Sequence, residues 1–495
     1  MYIPPFGRIS LKPFVLIPAA GKRQNCSRLH ALLVLEVCLA IAGCGGSGSS
    51  VNNQPANSQP ISNTQPNLAP MISGFSPPCI PAGGSAFSLS VSGQNLVSGS
   101  IVRWNGSDRP STFVSSNKLS AQIPASDIAA AGSAAITVFN PADGSLLSAR
   151  STLTIAAGLP PVSVAVDPGG KFAYVAGLVE SCGEGFLSTY SINQATGILT
   201  NAVLDLDLGN GDRHFVAVDP SGKFVYATDG LNDDVGKVLA FVVDTSTGAL
   251  TSAGSASNAP CPGLCDPWWL AVDPSGKFVY LADEGGFVSS VSTFEVDGTK
   301  GALTFADGTE SLGGRANSVA VDPSGRFVYS TTESNNVSMY SINTTTGALT
   351  SIGTIAAGTT PASVTVDPSG KWVYVTNAGS NNVSMYAIDP ATGSLTSTGL
   401  IAAGTNPAFV AVDPTGKFVY VTNAGSNDVS MYSISTADGT LTSIGTIAAE
   451  SSPGSIAIHP SGKFAYVTNS GSNTVSMYSV ETTTGILSLI GKIAT

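Results

Sequence analysis

Fourteen residues beginning at Val364, VTVDPSGKWVYVTN, occur in seven variants along the chain, and that recurrence leaves few folds open. The others are VAVDPGGKFAYVAG from Val164, VAVDPSGKFVYATD from Val216, LAVDPSGKFVYLAD from Leu270, VAVDPSGRFVYSTT from Val319, VAVDPTGKFVYVTN from Val410 and IAIHPSGKFAYVTN from Ile456. A unit repeated every few tens of residues cannot bury both of its faces alone and must stack on copies of itself. The turn aspartate falls at 167, 219, 273, 322, 367 and 413, with His459 in the seventh place, so the steps are 52, 54, 49, 45, 46 and 46 residues. Units five to seven are nearly identical. Units one to three carry extra length.

Within one copy, Val364 and Val366 belong to a short alternating strand, and Asp367-Pro368-Ser369-Gly370 turns the chain. Proline presets φ, aspartate bonds its own backbone two residues on, and glycine takes the positive φ that closes the turn. Lys371 to Val375 predicts a second strand, Val383 to Ile388 a third with period-2 alternation, and Leu395 to Ile401 a fourth. Four antiparallel strands per period suit a propeller blade better than the coil of a linear solenoid. The expected fold class is therefore all-β, with residues 157–495 forming a seven-bladed β-propeller.

The words Tyr374-Val375-Thr376-Asn377, Tyr420-Val421-Thr422-Asn423 and Tyr466-Val467-Thr468-Asn469 resemble the YVTN propeller family and its relative, the seven-bladed 6-phosphogluconolactonase-like lactonases. The resemblance covers about two thirds of the chain and implies fold more specifically than activity, since propellers host many functions.

Ahead of the propeller the pattern changes. Phe87 to Gly93, Ser100 to Gly106, Leu119 to Ile123 and Ala135 to Pro141 are short alternating stretches separated by turn clusters, which predicts a small Ig-like β-sandwich over residues 69–156. Pro70-Met71-Ile72, Gly93-Gln94-Asn95-Leu96 and Val102-Arg103-Trp104-Asn105-Gly106 resemble the IPT/TIG family, which implies a spacer or adhesion module, and Trp104 reads as core.

Residues 1–43 read as an export signal. Arg8, Lys12, Lys22, Arg23 and Arg28 form a basic region, Ala31 to Ala42 an apolar one, and Ile41-Ala42-Gly43-Cys44 resembles a bacterial lipobox in which Cys44 is lipidated. Residues 44–68 then form a Gly/Ser/Asn/Gln/Pro tether with too few apolar residues to offset the entropy of ordering it. These features predict an exported, lipid-anchored protein of the outer membrane, periplasm or cell surface. The acidic balance, 21 basic residues against 32 acidic, excludes an electrostatic footprint for nucleic acid.

With Cys26 and Cys38 in the signal and Cys44 lipidated, Cys79, Cys182, Cys261 and Cys265 remain. An exported setting permits disulfides, and Cys182, Cys261 and Cys265 are the candidates: Cys261 with Cys265, or either with Cys182. Cys79 is left without a partner. No histidine accompanies these cysteines, so no metal site is expected, nor any cofactor.

In a propeller, the loops entering each innermost strand share a face with the loops joining strands two and three. Irregular residues concentrate there in the first four blades. Arg213 and His214 enter blade two, Trp268 and Trp269 enter blade three, and Arg315 enters blade four; Glu284 and Glu333 follow second strands, as does the acidic run from Asp229 to Asp234. Two functions fit. In the first, the face hydrolyses a small lactone or ester, with His214 or Glu284 activating water and Arg213 or Arg315 steadying the oxyanion. The lactonase resemblance implies a histidine just before an inner strand and a glutamate after a second strand, positions that His214 and Glu284 occupy. Where that pattern has an Arg-His pair ahead of the glutamate-bearing strand, this chain has Pro267-Trp268-Trp269. In the second, the propeller is a binding or scaffold module of the cell envelope. Trp268, Trp269 and Asp229 then form a contact surface for an envelope protein or glycan.

Overall fold

The computed structural model describes residues 68–495, apart from 84–85, 142–145, 180–183, 209–213, 231–235, 258–266, 284–289 and 311–313, and apart from the side chains of 81, 179, 184, 201–207, 290 and 309–310. Two all-β domains follow one another. The first is a sandwich. One of its sheets runs in the order Met71–Ser76, Phe87–Gln94, Lys118–Ile123, Ser111–Ser115, and the other contains Cys79–Pro81, Ser151–Ala156, Gly132–Asn140 and Ile101–Trp104. Leu89, Val91, Val102, Leu119, Ile136 and Val138 fill the space between them around Trp104, which is buried as its apolar neighbours require. Ser151–Ala156 pairs with Gly132–Asn140 and Cys79–Pro81, so the last strand before the propeller belongs to the sandwich and is not lent to the ring.

Seven four-stranded antiparallel sheets follow, each built from strands consecutive in sequence. In blade five these are Pro361–Val366, Trp372–Asn377, Asn382–Ile388 and Leu395–Ala402. The repeated turn explains itself in local hydrogen bonds. Asp367 is buried, its Oδ1 accepts from the Lys371 and Trp372 N–H groups at 2.8 Å each, and its Oδ2 accepts from the Ser369 N–H at 3.0 Å and the Ser369 hydroxyl. Gly370, at φ +68°, completes the turn.

Blades are joined by a second device. In every blade the aromatic residue that opens the second strand packs on the glycine in the next blade's turn between strands three and four, and in blades three to seven the tyrosine two residues on bonds the same glycine. The Tyr374 hydroxyl donates to the Gly439 carbonyl at 2.9 Å, and the Trp372 ring covers Gly439 so closely that a Cβ there would lie 2.2 Å from it. Gly439 also has φ +70°, which glycine adopts at no steric cost, and the ring leaves no room for any side chain there. Tyr329 bonds Gly393, Tyr420 bonds Gly485 and Tyr280 bonds Gly347 in the same way. Buried methionine sulfurs add a further contact. Leu441 N–H donates to Met385 Sδ at 3.2 Å and Leu487 N–H to Met431 Sδ at 3.3 Å.

The ring closes with the same bonds. Tyr466 of blade seven donates to Gly197 of blade one at 3.0 Å, and Leu199 N–H meets Met477 Sδ at 3.1 Å. His459, standing where the other blades have aspartate, makes a contact particular to this seam. Its Nδ1 accepts from the Ser461 N–H at 3.1 Å and its Nε2–H donates to the Gly170 carbonyl at 2.9 Å. The sandwich leans on this seam as well: Cys79, Ala156 and Leu159 share one apolar cluster with Tyr190, Val475 and Met477, and Leu159 N–H donates to the Thr495 carbonyl. Cys79 is disulfide-bonded, which corrects the expectation that it stands alone. All other cysteines lie outside the described residues.

Burial pushes the phenol of Tyr190 up to about 12 and raises those of Tyr329, Tyr374, Tyr420 and Tyr466, with the Asp367 carboxylate adding to the rise at Tyr374. Above pH ~10 the unfolded chain releases phenolic protons that the folded chain retains, so stability is complete below that pH and falls as pH rises. Urea midpoints measured from pH 8 to 12 should decline above pH ~10, and Tyr374→Phe should flatten that decline while lowering the midpoint at pH 8 by the equivalent of about 1 kcal/mol.

Candidate functional site

The register of the repeat places one residue from every blade at the same level of the axial channel. Five residues before the turn aspartate or its histidine equivalent stand Val162, His214, Trp268, Asn317, Ala362, Ala408 and Gly454; four before it stand Ser163, Phe215, Trp269, Ser318, Ser363, Phe409 and Ser455. The serines of the second ring are buried, and each accepts the N–H of the next blade's innermost strand. Val364 bonds Ser318 at 3.2 Å, Val410 bonds Ser363 at 3.4 Å, Val216 bonds Ser163 at 3.3 Å and Val164 bonds Ser455 at 3.4 Å.

In three blades that serine is replaced by an aromatic ring, and the three rings meet. Trp269 of blade three packs on Phe215 of blade two with centroids 4.5 Å apart and on Phe409 of blade six at 5.0 Å. Blades three and six stand on opposite sides of a seven-membered ring, so the trio spans the channel. Above it opens a cavity of about 570 Å³, walled by Phe215, Trp268, Trp269, Asn317, Asn406 and Glu333 together with small residues of blades five and six. A volume of this order and a largely apolar wall with a few polar groups are what small-ligand sites have in common. The Glu333 carboxylate lies 3.8 Å from the Arg315 guanidinium, both about half exposed, and the Glu333 N–H donates to the Arg315 carbonyl at 3.0 Å.

Trp268 and Trp269 thus line one mouth, and Arg315 stands at its edge beside Glu333. His214 does not line it. It shares the register of Trp268, but its ring is fully buried, its Nδ1–H donates to the Thr228 carbonyl at 2.9 Å, and it lies flush against Gly185 of blade one, where a Cβ would come within 2.1 Å of Nε2. A glycine at that point of the neighbouring blade makes room for the imidazole in the seam. Asp229 ends the second strand of blade two, half-buried and paired in the ladder with Lys237. Arg213, Glu284, Cys182, Cys261, Cys265 and Cys44 lie outside the described residues. Among the described residues, no group of three or more His, Cys, Asp or Glu side chains is placed to hold a metal ion.

The uniform loops serve the frame. Asn335 of blade four, Asn381 of blade five and Asn427 of blade six adopt positive φ, and their Oδ1 atoms accept the N–H of Thr360, Asn406 and Ser452 at the entry to the next blade, each at 2.8 Å. Asn377, the last letter of its YVTN word, is buried, accepts the Gly358 N–H at 2.9 Å and donates to Ser384 Oγ at 2.8 Å. Blade three has Asp283 in that place, fully buried, accepting from the Ser292 hydroxyl at 2.6 Å.

Residues 128–365, 315–412 and 400–495 match the model of the lactonase seven-bladed β-propeller family. The chain belongs to that family. Residues 70–155 match the IPT/TIG domain, in agreement with the sandwich. Among solved structures, this lactonase-family propeller is similar to a putative 6-phosphogluconolactonase from Bacteroides fragilis, with 23% identity and a TM-score of 0.54 over 62% of this chain and 90% of that one. A putative 6-phosphogluconolactonase from Bacteroides uniformis gives 21% identity and a TM-score of 0.56 over 62% and 92%. The periplasmic gluconolactonase of Pseudomonas aeruginosa gives 18% and 0.51 over 65% and 93%. At these identities the likeness is one of fold. Among curated proteins, none matches the chain in sequence.

Replacing His214 by alanine removes the donor from a buried carbonyl and leaves a void, so His214→Ala should lower stability by about 2–4 kcal/mol in urea titration. Any ligand affinity of the axial mouth should remain within about twofold of the original.

Proposed function

We propose that this propeller binds a small, uncharged lactone in its axial mouth and hydrolyses it to the open hydroxy acid. The observation that carries the reading is the pairing of Glu333 with Arg315 at the edge of a cavity floored by aromatic rings. Family membership supports the reaction class, and the named neighbours include proteins described as 6-phosphogluconolactonases and a gluconolactonase. In this scheme the Glu333 carboxylate takes a proton from water as the water oxygen adds to the ring carbonyl. Arg315 offsets the negative charge that gathers on the carbonyl oxygen. Collapse of the tetrahedral adduct breaks the acyl–oxygen bond of the ring, and the departing alkoxide takes the proton back from Glu333. A carboxylate in the cavity wall and a chain carrying −11 overall disfavour an anionic substrate, so the unphosphorylated ring is the better candidate.

A second reading, binding without turnover, is favoured by the withdrawal of His214 into the seam between blades one and two. On that reading the mouth presents Trp268 and Trp269 to a glycan or protein of the envelope. Glucono-1,5-lactone, its 6-phosphate and simple alkyl lactones separate the two. Hydrolysis above the spontaneous rate, highest for the uncharged sugar lactone and lowered roughly 10²- to 10⁴-fold in Glu333→Gln, is expected for a general base. No hydrolysis by the folded protein leaves the binding reading.

We further propose that the protein acts outside the cytoplasm, held to a membrane by lipid on Cys44, with residues 44–68 as the spacer. Fractionation should find the full-length protein with membranes and extractable only by detergent, whereas Cys44→Ser should move it to the soluble fraction or leave its signal uncleaved.

A further inference from the structure

Blade four gives the cavity a polar side chain besides the Glu333–Arg315 pair. Where Ala316–Val321 pairs with Phe327–Thr332, Ala316 faces Thr332 and Ser318 faces Thr331, so Asn317 is the extra residue of a β-bulge. A bulge takes its residue out of the ladder and re-aims the side chain. Blades one, three, five and six have the same bulge at Val162, Trp268, Ala362 and Ala408, and the last three of these line the cavity with Asn317. Of the five bulge residues, only Asn317 has a side-chain oxygen that can accept a hydrogen bond.

The Asn317 amide is held in one orientation. It donates to the Pro361 carbonyl of the next blade at 3.1 Å, and because a carbonyl only accepts, the atom on that side is Nδ2. Oδ1 and the second N–H of the amide meet no partner among the described residues, and the side chain stands half-buried in the cavity wall.

We infer that Asn317 is a specificity-determining residue of the axial mouth: it bonds one ring hydroxyl and so selects a hydroxylated lactone over a deoxygenated one. The inference rests on the reading of this cavity as a lactone site and concerns recognition only. The two open positions of the amide, an acceptor and a donor, match a hydroxyl, which gives one hydrogen bond and takes another. An amide already tied to Pro361 loses little further freedom when a ligand arrives. A ring without that hydroxyl strips water from the amide and returns nothing, which is how a site built around a hydroxyl rejects the analogue that lacks it.

The test uses the full chain and glucono-1,5-lactam, which resists hydrolysis, with its four monodeoxy analogues; calorimetry gives the dissociation constants. In the parent protein one analogue should bind about tenfold more weakly than the lactam. In Asn317→Ala the lactam should weaken by about the same factor, and the difference between it and that one analogue should vanish. A residue that only supports the wall would weaken all five ligands alike and leave every difference in place. Blades five and six carry alanine at this position and blade seven carries Gly454, so Asn317→Gly serves as a second variant if the first does not fold. Unchanged lactam affinity in the variant, the same differences among the five ligands in parent and variant, or no binding of the lactam by the parent overturns the inference. Hydrolysis of glucono-1,5-lactone alongside any of those results leaves the hydrolase reading standing without it. The expected loss of discrimination with no hydrolysis of glucono-1,5-lactone overturns the hydrolase reading and leaves the role of Asn317 in place.

Discussion

Everything in the propeller depends on the grip between one blade's second strand and the next blade's glycine turn. The tyrosine hydroxyl and the aromatic ring two residues earlier both act on the same glycine, as Tyr374 and Trp372 do on Gly439. The contact joins a buried hydrogen bond to a close ring-on-backbone approach, and the ring approach requires the absence of a side chain at the turn. A blade of four strands cannot cover its own faces, so stability resides in these seams. The closure seam follows the same rule, and Tyr466 meets Gly197 across the chain's two ends of the ring. The sandwich adds Cys79 and Ala156 to that seam and the connecting residue Leu159 joins them, so the Ig-like domain packs on the ring where it closes.

The candidate face is the set of places where the repeat is broken. Blades five to seven engage their asparagine loops in bonds to the backbone of neighbouring loops, as Asn381 does with Asn406 and Asn427 with Ser452. Their top face is correspondingly uniform. Blades two, three and six replace the frame serine with Phe215, Trp269 and Phe409, and the cavity opens where the replacements gather. A serine bound to the next blade contributes to the ring wherever it stands. An aromatic ring there serves the frame only if other rings cover it, so its three occurrences are one feature.

The sequence carried the fold well because each level agreed with the others. Turn chemistry at Asp367 to Gly370, strand alternation on both sides and a constant period all point to one supersecondary unit. Part of the site was legible on the same grounds: Trp268, Trp269 and Arg315 stood out in loops that register assigns to one face. Phe215 and Phe409 did not, since a phenylalanine beside an inner strand reads as core until the repeats are aligned by column. His214 was misleading for the opposite reason. Its register put it level with Trp268, yet the space left by Gly185 draws the imidazole into the seam. Cys79 was taken for an odd cysteine because pairing depends on distance in space, and the count of cysteines carries no such information.

The chain by itself determined that seven similar β units stack around an axis behind an Ig-like domain, because turn geometry and side-chain alternation are local properties that each repeat states independently. It determined the family as well, since the repeated turn-and-strand stretch lies in every blade and the YVTN word in three of them. Only the tertiary structure decided which irregular residues meet. Whether a side chain faces the axis or the seam depends on the volume left by a residue in the neighbouring blade, more than fifty positions away for some pairs, and that volume exists only once the ring has closed.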